Sequence, residues 1–278
     1  MRLHSTFEDS SIHDQWTHVY RRSPEQNQLD DAVYDWLFAK FIPEGRWMDA
    51  GCGTGLRTAQ LAKRGAEVVA VDVSPKVLEL ARSSVKATEY GSRITFQVAA
   101  LEEPLDHIRV DNVHCRGVLQ HIPEWEAALA NICACVHPDK FIVLFESNHR
   151  SLEAMIVRII RIFAARESQL RSGTSGMEFW SDVDGKPFLV RMANLKKLEQ
   201  ALRDNNVKPL IKRPVELFDP NRFPERMRGL VCRLNMLWFR YNLPFGAGFI
   251  LVGLKNRTDT MKPDLDHQSA GRQHLEGM

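Results

Sequence analysis

Apolar strand-like runs alternate with helical stretches along most of this chain, and that alternation restricts its fold more than any other feature. Five segments read as strands: "RWMDAG", "EVVAVD", "RITFQVA", "VDNVHCRGVL" and "KFIVLFES". "EVVAVD" is a continuous apolar run, which is typical of a strand buried on both faces of a parallel sheet. Strands and helices that alternate at this spacing imply right-handed crossovers and a parallel sheet.

The same pattern returns near the end of the chain with the helix "NLKKLEQALRDN" and the strands "VKPLIKRP" and "GFILVGLK". The sequence therefore predicts an α/β fold, a doubly wound, mostly parallel seven-stranded sheet with helices on both faces. Residues 1–43 are predicted to form an N-terminal helical cap on a domain spanning 44–257. Interruptions near 150–192 and 219–246 are predicted to be helical lid insertions. Residues 258–278 are polar and predicted to be a disordered tail.

Three glycines within five residues follow the first strand, in "WMDAGCGTG", Trp47 to Gly55. A glycine-rich turn between a strand and a helix lets a ligand approach the backbone and directs free N–H groups at an anionic group. The spacing does not match a phosphate-binding P-loop. A dinucleotide fingerprint needs a small residue where this chain has Leu56.

The spacing Asp49-x-Gly51-x-Gly53-x-Gly55 resembles the first motif of the class I, Rossmann-like S-adenosylmethionine (SAM)-dependent methyltransferases. Asp72, at the end of the second strand, stands where that family has an acid that binds both ribose hydroxyls. "HCRGVLQHIP", His114 to Pro123, is similar to the family's segment after the fourth strand. The resemblance covers about residues 29–148, and it implies SAM as the cofactor and S-adenosylhomocysteine as its product.

The resemblance also implies which residues bind the cofactor. The glycine loop and the backbone of Cys115 and Arg116 would hold the carboxylate and amino group of SAM. Ala99 stands where the family often has an acid for the adenine amino group, so adenine would rest on apolar packing and nearby backbone. The implied cofactor residues are Asp49, Gly51, Cys52, Gly53, Gly55, Asp72, Val73, Ala100, Leu101, Cys115 and Arg116.

The absence of two known motifs restricts the class of methyl acceptor. "CRGV" replaces the [DNS]-PP-[YFW] motif of enzymes that methylate exocyclic amines or glutamine amides, and no Pro-Cys nucleophile occurs. No Cys/His cluster has metal-ligand spacing, so no metal is expected. We therefore expect an enzyme that methylates an O or N atom of a small molecule. The candidate bases are His121, Glu146 and His149, all near strand ends, and His121 reads equally well as a core or rim histidine.

Positive charge is concentrated in the second half of the chain. Residues 1–149 carry 15 Lys/Arg and 21 Asp/Glu, a net of −6, whereas residues 150–257 carry 20 and 10, a net of +10. The two insertions mix arginines with apolar residues, which favours a partly apolar, anionic acceptor under a lid. The predicted acceptor contacts are Arg226, Arg233, Trp238 and Tyr241.

Several alternatives stay open at this point. The basic half is also compatible with a methyltransferase that acts on RNA or DNA, and an intact cofactor motif is compatible with a catalytically silent SAM-binding subunit. The insertions could instead form an additional hydrophobic layer, a homodimer interface or a peripheral membrane contact. The five cysteines contain no CxxC pair, and no signal peptide or transmembrane segment is visible, so we expect a cytoplasmic protein.

Overall fold

The computed structural model describes residues 23–41, 45–163, 170–183 and 186–257. The predicted tail, 258–278, lies outside the described residues, as do residues 1–22 and 42–43 of the predicted cap. The helices are α1 (Pro24–Lys40), α2 (Leu56–Lys63), α3 (Pro75–Val85), α4 (Trp125–Ala134), α5 (Leu152–Phe163), α6 (Leu195–Asp204) and α7 (Glu225–Tyr241). None of the described helices is long and apolar enough to cross a membrane.

Seven of the strands, numbered in chain order, form one sheet: β1 (Arg46–Ala50), β2 (Glu67–Asp72), β3 (Ile94–Val98), β4 (Asn112–Arg116), β5 (Phe141–Ser147), β9 (Val207–Glu216) and β10 (Gly248–Lys255). Their order in the sheet is β3-β2-β1-β4-β5-β10-β9. β10 runs antiparallel to both β5 and β9, and the other neighbouring pairs are parallel. The predicted doubly wound, mostly parallel seven-stranded sheet is confirmed.

Apolar layers cover both faces of this sheet. One cluster joins Met48 and Leu144 to the apolar sides of α4 and α6, including Leu129 and Leu202. The other cluster joins Trp47 and Val143 to residues of α1 and α2. Because the strand order reverses between β1 and β4, the helices leave a crevice beyond the carboxyl ends of these two strands.

The first insertion is not purely helical, so that part of the prediction is wrong. After α5 the chain forms a separate antiparallel sheet in the order β6 (Leu170–Gly173), β7 (Gly176–Val183) and β8 (Lys186–Ala193). Met177, Phe179 and Met192 point to one side of this sheet and pack against Ala154 of α5. This alternate burial is a period-two pattern, which the helical interpretation overlooked.

Helix α1 is an integral part of the domain. Ser23 caps its amino end, where the Ser23 hydroxyl accepts the Gln26 N–H and the Gln26 side chain accepts the Ser23 N–H. Tyr34 and Leu37 are completely buried against the central sheet. The removal of this helix would therefore expose core side chains.

Helix α7 occupies the second insertion, as predicted, and it packs against α1 and β9. Phe239 and Val231 are buried on its inner side. Asn235 is also buried, and its side-chain oxygen accepts the backbone N–H groups of Leu217 and Phe218 at 2.9 and 3.2 Å. These contacts fix α7 on the outside of the domain, next to the amino-terminal helix.

A buried chain of polar side chains supports the loop that follows β1. The Asp49 carboxylate accepts the Thr58 hydroxyl at 2.6 Å and the Nδ1–H of His114 at 2.8 Å. Tyr34 of α1 then donates its hydroxyl proton to His114 Nε2 at 2.9 Å. All four side chains are almost completely buried. The chain ties α1, β1, α2 and β4 together beneath the glycines.

We predict that Tyr34→Phe lowers the stability of the protein. It leaves the buried Nε2 of His114 without its donor, which costs roughly 1–3 kcal/mol in the free energy of unfolding. Denaturant unfolding measures this change. Tyr90→Phe is the matched control, because Tyr90 is half-buried and its hydroxyl has no hydrogen bond within the described residues. Equal stability of the two variants would show that the polar chain does not support the fold.

Candidate active site

A cavity of about 550 Å³ opens at the carboxyl ends of β1, β2, β4 and β5, where the strand order reverses. This volume is in the range of small-molecule sites. Its walls come from the loops after these strands, from α1, from β8 and from the segments before α7 and β10. The lining includes Gln26, Leu29, Gly51, Cys52, Gly53, Asp72, Val73, Leu101, Arg116, His121, Glu146, Val190, Met192, Arg222 and Phe249.

The glycine loop presents bare backbone to this cavity. Gly51, Gly53 and Gly55 all have positive φ, at 71°, 54° and 81°. A Cβ at Gly51 would lie 2.3 Å from Val118, and one at Gly55 would lie 3.0 Å from Ala81. Gly53 has nothing within 4 Å on that side, and it lines the cavity. Two glycines are thus needed for packing, and Gly53 leaves space for a ligand.

Asp72 links the glycine loop to the end of β2. Its Oδ2 accepts the Gly53 N–H at 2.9 Å, and its Oδ1 accepts the Ser74 N–H at 3.0 Å. The side chain lines the cavity beside Val73. Ala99, Leu101 and Glu102 also line this end of the cavity. The half-buried Glu102 is an acid three residues after Ala99, the position where the family often has one.

An ion-pair cluster joins α1 to the floor of the cavity. The Asp30 carboxylate accepts hydrogen bonds from the guanidinium groups of Arg57, at 2.5 Å, and Arg116, at 3.0 Å. A second guanidinium nitrogen of Arg116 lies 3.5 Å from the Glu216 carboxylate. The Arg116 guanidinium also lies 4.8 Å from the centre of the Phe145 ring. Arg57 and Arg116 line the cavity, and their shared carboxylate holds both side chains in place.

The small sheet closes the opposite side of the cavity. Arg191 of β8 is buried, and its guanidinium donates to the backbone carbonyls of Leu119, Ile122 and Pro123 at 2.8–3.3 Å. Its Nε donates to Glu178 at 2.9 Å. Arg191 therefore fastens the segment after β4 to the insertion.

Glu146 is the most unusual group in the cavity. It lies at the end of β5, only 4% of its surface is exposed, and neither carboxylate oxygen has a hydrogen-bond partner among the described residues. Burial raises the pKa of Glu146 to about 8, and the charge of Arg191 and the backbone of Leu119 only partly oppose this. Such a carboxyl group exchanges a proton near neutral pH.

His121 also lines the cavity, but it is a weaker base. Its Nδ1–H donates to the Leu189 carbonyl at 2.8 Å, and its Nε2 lies 3.1 Å from the side-chain nitrogen of Gln120. The pKa of His121 is lowered to about 4, mainly by burial; the bond to Leu189 opposes this shift in part, and the charge of Arg191 adds to it. The imidazole is therefore neutral at physiological pH.

A second acid and an arginine lie at the edge of the cavity in front of α7. Glu153 is buried; its Oε1 lies 2.7 Å from Nε of Arg222, and its Oε2 accepts the Asp219 N–H at 2.5 Å. All three residues line the cavity. The two terminal nitrogens of Arg222 make no hydrogen bond or ion pair within the described residues.

The structure brings most of the residues predicted for the cofactor to the cavity, but not all of them. Asp49, Gly55, Ala100 and Cys115 do not line it. Asp49 belongs to the buried polar chain beneath the loop, and Gly55 allows α3 to pack closely against the loop. Cys115 is completely buried in the core.

Among the predicted bases, His121 and Glu146 line the cavity and His149 does not. Both the backbone N–H and Nδ1 of His149 lie against the Ala193 carbonyl, at 3.1 and 3.0 Å. The predicted acceptor contacts Arg226, Arg233, Trp238 and Tyr241 also lie outside the cavity, because α7 packs on α1 with these side chains away from it. Of the second insertion, Arg222 is an arginine that does line the cavity.

Several cavity residues were not found from the sequence. Gln26 and Leu29 come from α1, and Val190 and Met192 come from β8. Their positions depend on tertiary packing of segments far from the glycine motif. The pairing of Glu153 with Arg222, which are 69 positions apart, had no signal in the sequence.

Comparison with known proteins gives a family match for the central part of the chain. Residues 48–144 match the family model described as "Methyltransferase domain". The magnesium-protoporphyrin O-methyltransferase of Rhodobacter capsulatus is 48% identical over 59 residues, which is 21% of this chain and 26% of that protein. The ubiquinone biosynthesis O-methyltransferase of Xylella fastidiosa (strain 9a5c) is 29% identical over 117 residues, which is 41% of this chain and 46% of that protein. The chain thus spans less than half the length of these curated relatives.

Solved structures share the fold over nearly the whole chain. The magnesium protoporphyrin IX methyltransferase of Synechocystis PCC 6803, with bound S-adenosylhomocysteine, has a TM-score of 0.61 and 19% identity, covering 90% of this chain and 97% of that one. A [4+2]-cyclase has a TM-score of 0.57 and 16% identity, covering 86% of this chain and 85% of that one. Because a cyclase shares the fold, the fold alone does not establish the reaction.

We predict that Glu146 destabilises the protein as the pH rises. The folded state disfavours ionised Glu146. The contribution of neutral Glu146 to the stability of the protein is therefore fully present below the ordinary glutamate pKa and is lost as the pH rises through about 8. The melting temperature of Glu146→Gln relative to wild type should therefore increase from about pH 5 to about pH 9. Glu79→Gln, an exposed change on α3, is the control. A pH-independent difference would contradict the raised pKa.

Proposed function

We propose that this chain, whose residues 48–144 form a methyltransferase domain within a class I, Rossmann-like fold, binds SAM and transfers its methyl group to an oxygen of a small molecule. The observation that carries this proposal is the cavity itself, with Gly53 and Asp72 at one end and unpartnered Glu146 at the other. The names of the two relatives given above, both O-methyltransferases, favour oxygen over nitrogen.

The order of the strands supports a direction for the cofactor along the edge of the sheet. Asp72 ends β2, the glycine loop follows β1, Arg116 ends β4, and Glu146 is the last residue but one of β5. We assign the ribose to Asp72 and the adenine to the apolar end beside Val73 and Leu101. The amino-acid part would then lie over the glycine loop and beside Arg116. This arrangement directs the reactive methyl group toward the β5 side.

SAM, when bound, supplies a methyl group already activated for in-line displacement. The residues of this chain therefore need mainly to position the acceptor, exclude water and accept a proton. We assign the proton to a carboxylate oxygen of Glu146, as the acceptor oxygen bonds to the methyl carbon and the carbon–sulfur bond breaks. A base with a pKa near the working pH is the most effective, and Glu146 fits this requirement better than His121.

The walls of the cavity favour a partly apolar acceptor with an anionic group. Val190, Met192 and Phe249 contribute apolar surface. Arg222, held through its Nε by Glu153, offers two unengaged terminal nitrogens, which suit a carboxylate or phosphate. Arg222 thus takes the role that the sequence assigned to Arg226 and Arg233.

We predict that S-adenosylhomocysteine raises the melting temperature in a concentration-dependent manner and that Asp72→Ala weakens its binding. Two hydrogen bonds to a charged acceptor are worth roughly 1.5–3 kcal/mol each, so the affinity should fall at least tenfold. Calorimetry of folded variants measures this, with the exposed Asp106→Ala as control. Unchanged affinity in Asp72→Ala would contradict the assignment of the ribose to Asp72. If S-adenosylhomocysteine does not stabilise the wild-type protein, the assignment of SAM as cofactor is wrong.

We predict that Glu146→Gln lowers kcat by roughly 10²–10⁴-fold while leaving the affinity for S-adenosylhomocysteine nearly unchanged. The acceptor for this assay comes from a screen of phenols and catechols, whose hydroxyl proton a base must remove, with methyl-labelled SAM. In wild type, kcat should rise with pH up to about 8, because the base must be ionised. His121→Asn is the comparison variant and should keep this pH dependence. If His121→Asn loses it and Glu146→Gln does not, the base is His121.

A further inference from the structure

Exposed apolar side chains are concentrated on one part of this protein. Of the fifteen large apolar side chains that are exposed within the described residues, eleven lie on α5, on α7 or at Phe245. The start of α5 is tied to both flanks of α7, because Glu153 pairs with Arg222 and the Leu152 N–H donates to the Phe245 carbonyl. Such a concentration marks a contact surface.

The outer face of α7 is ordered into rows at seven-residue spacing, which places residues on nearly the same side of a helix. Arg226, Arg233 and Arg240 form one row, and all three are exposed. The adjacent rows are apolar and 40–64% exposed: Leu230 with Leu237, and Met227 with Leu234 and Tyr241. The opposite side of the helix is packed against α1 and β9. The exposed face thus consists of one cationic row beside two apolar rows.

The charges on this face are only partly compensated within the described residues. None of the three arginines forms an ion pair there, and Glu225 is the only acid in α7. Glu25 of α1 lies near Gly229 and Arg233 and offsets part of this charge. A dimer that paired this face with itself would bring both arginine rows into one interface without matching acids. An anionic partner fits the face better.

We propose that the outer face of α7, together with Phe245, binds the surface of an anionic lipid bilayer. The apolar rows enter the boundary between headgroups and acyl chains, and the arginine row pairs with lipid phosphates. Phe245, 65% exposed directly after α7, adds to the inserted surface. Because Asp219–Arg222 line the cavity and directly precede α7, this contact brings the cavity close to the lipid. The proposal does not depend on which reaction the cavity performs.

Co-sedimentation of the full chain with vesicles tests the proposal. We expect binding to vesicles of phosphatidylglycerol and phosphatidylcholine, weak binding to phosphatidylcholine alone, and a decline with added salt. Replacement of Arg226, Arg233 and Arg240 by Gln should weaken binding on the order of 100-fold, since each arginine near such a surface contributes roughly fivefold. The double change Leu230→Glu and Leu237→Glu should abolish it.

Matched control variants distinguish binding by this face from non-specific electrostatic or hydrophobic binding to the vesicles. Replacement of Arg82, Lys86 and Arg93 by Gln removes the same charge at the other end of the sheet and should leave vesicle binding within about twofold. Leu80→Glu with Leu210→Glu changes two leucines that are 48% and 44% exposed, and should also leave binding unchanged. Melting temperatures and S-adenosylhomocysteine affinities of all variants report whether the fold and cavity are intact.

Three outcomes overturn the proposal. The first is the absence of sedimentation with anionic vesicles. The second is equal loss of binding in the control variants, which would indicate non-specific attraction. The third is a concentration-dependent dimer in analytical ultracentrifugation that disappears in Leu230→Glu with Leu237→Glu and forms without lipid binding, because the face would then bind a second copy of this chain.

Discussion

The structure depends on how two carboxylates hold a loop that has almost no side chains. Asp49 lies beneath the loop, where it is hydrogen-bonded to Thr58 and to His114. Asp72 lies at the next strand and accepts the N–H of Gly53. Positive φ angles at three glycines make this path possible, and the carboxylates fix it. The bare backbone therefore faces the cavity in a defined position instead of collapsing into it.

The central sheet and the end of the cavity beside β1 and β2 could be predicted from the sequence, because both follow from local signals. Continuous apolar runs identify buried strands, and the glycine spacing identifies the loop. Asp49 shows the limit of such reasoning. The motif assigns it to the cofactor, whereas its hydrogen bond to His114, which Tyr34 continues, places it beneath the loop as a support.

The side of the cavity that we propose for the acceptor was predicted poorly because it depends on contacts between distant segments. The sequence assigned arginines of the second insertion to the acceptor, whereas α7 turns them outward and leaves Arg222 at the cavity. The strands of the first insertion were predicted to be part of a helical lid, although β8 supplies Arg191, which fixes the segment after β4. Glu146 was found as a strand-end acid, but its lack of partners and its raised pKa follow from burial that no local pattern reveals.

The central claim is that one cavity holds the cofactor at Gly53 and Asp72 and directs its reactive end toward Glu146. A crystal structure of the protein with S-adenosylhomocysteine tests this most directly. The account predicts ribose hydroxyls hydrogen-bonded to Asp72 and a sulfur atom that faces Glu146 across open space. A ligand whose sulfur is separated from Glu146 by protein atoms, or whose ribose lies away from Asp72, would contradict it.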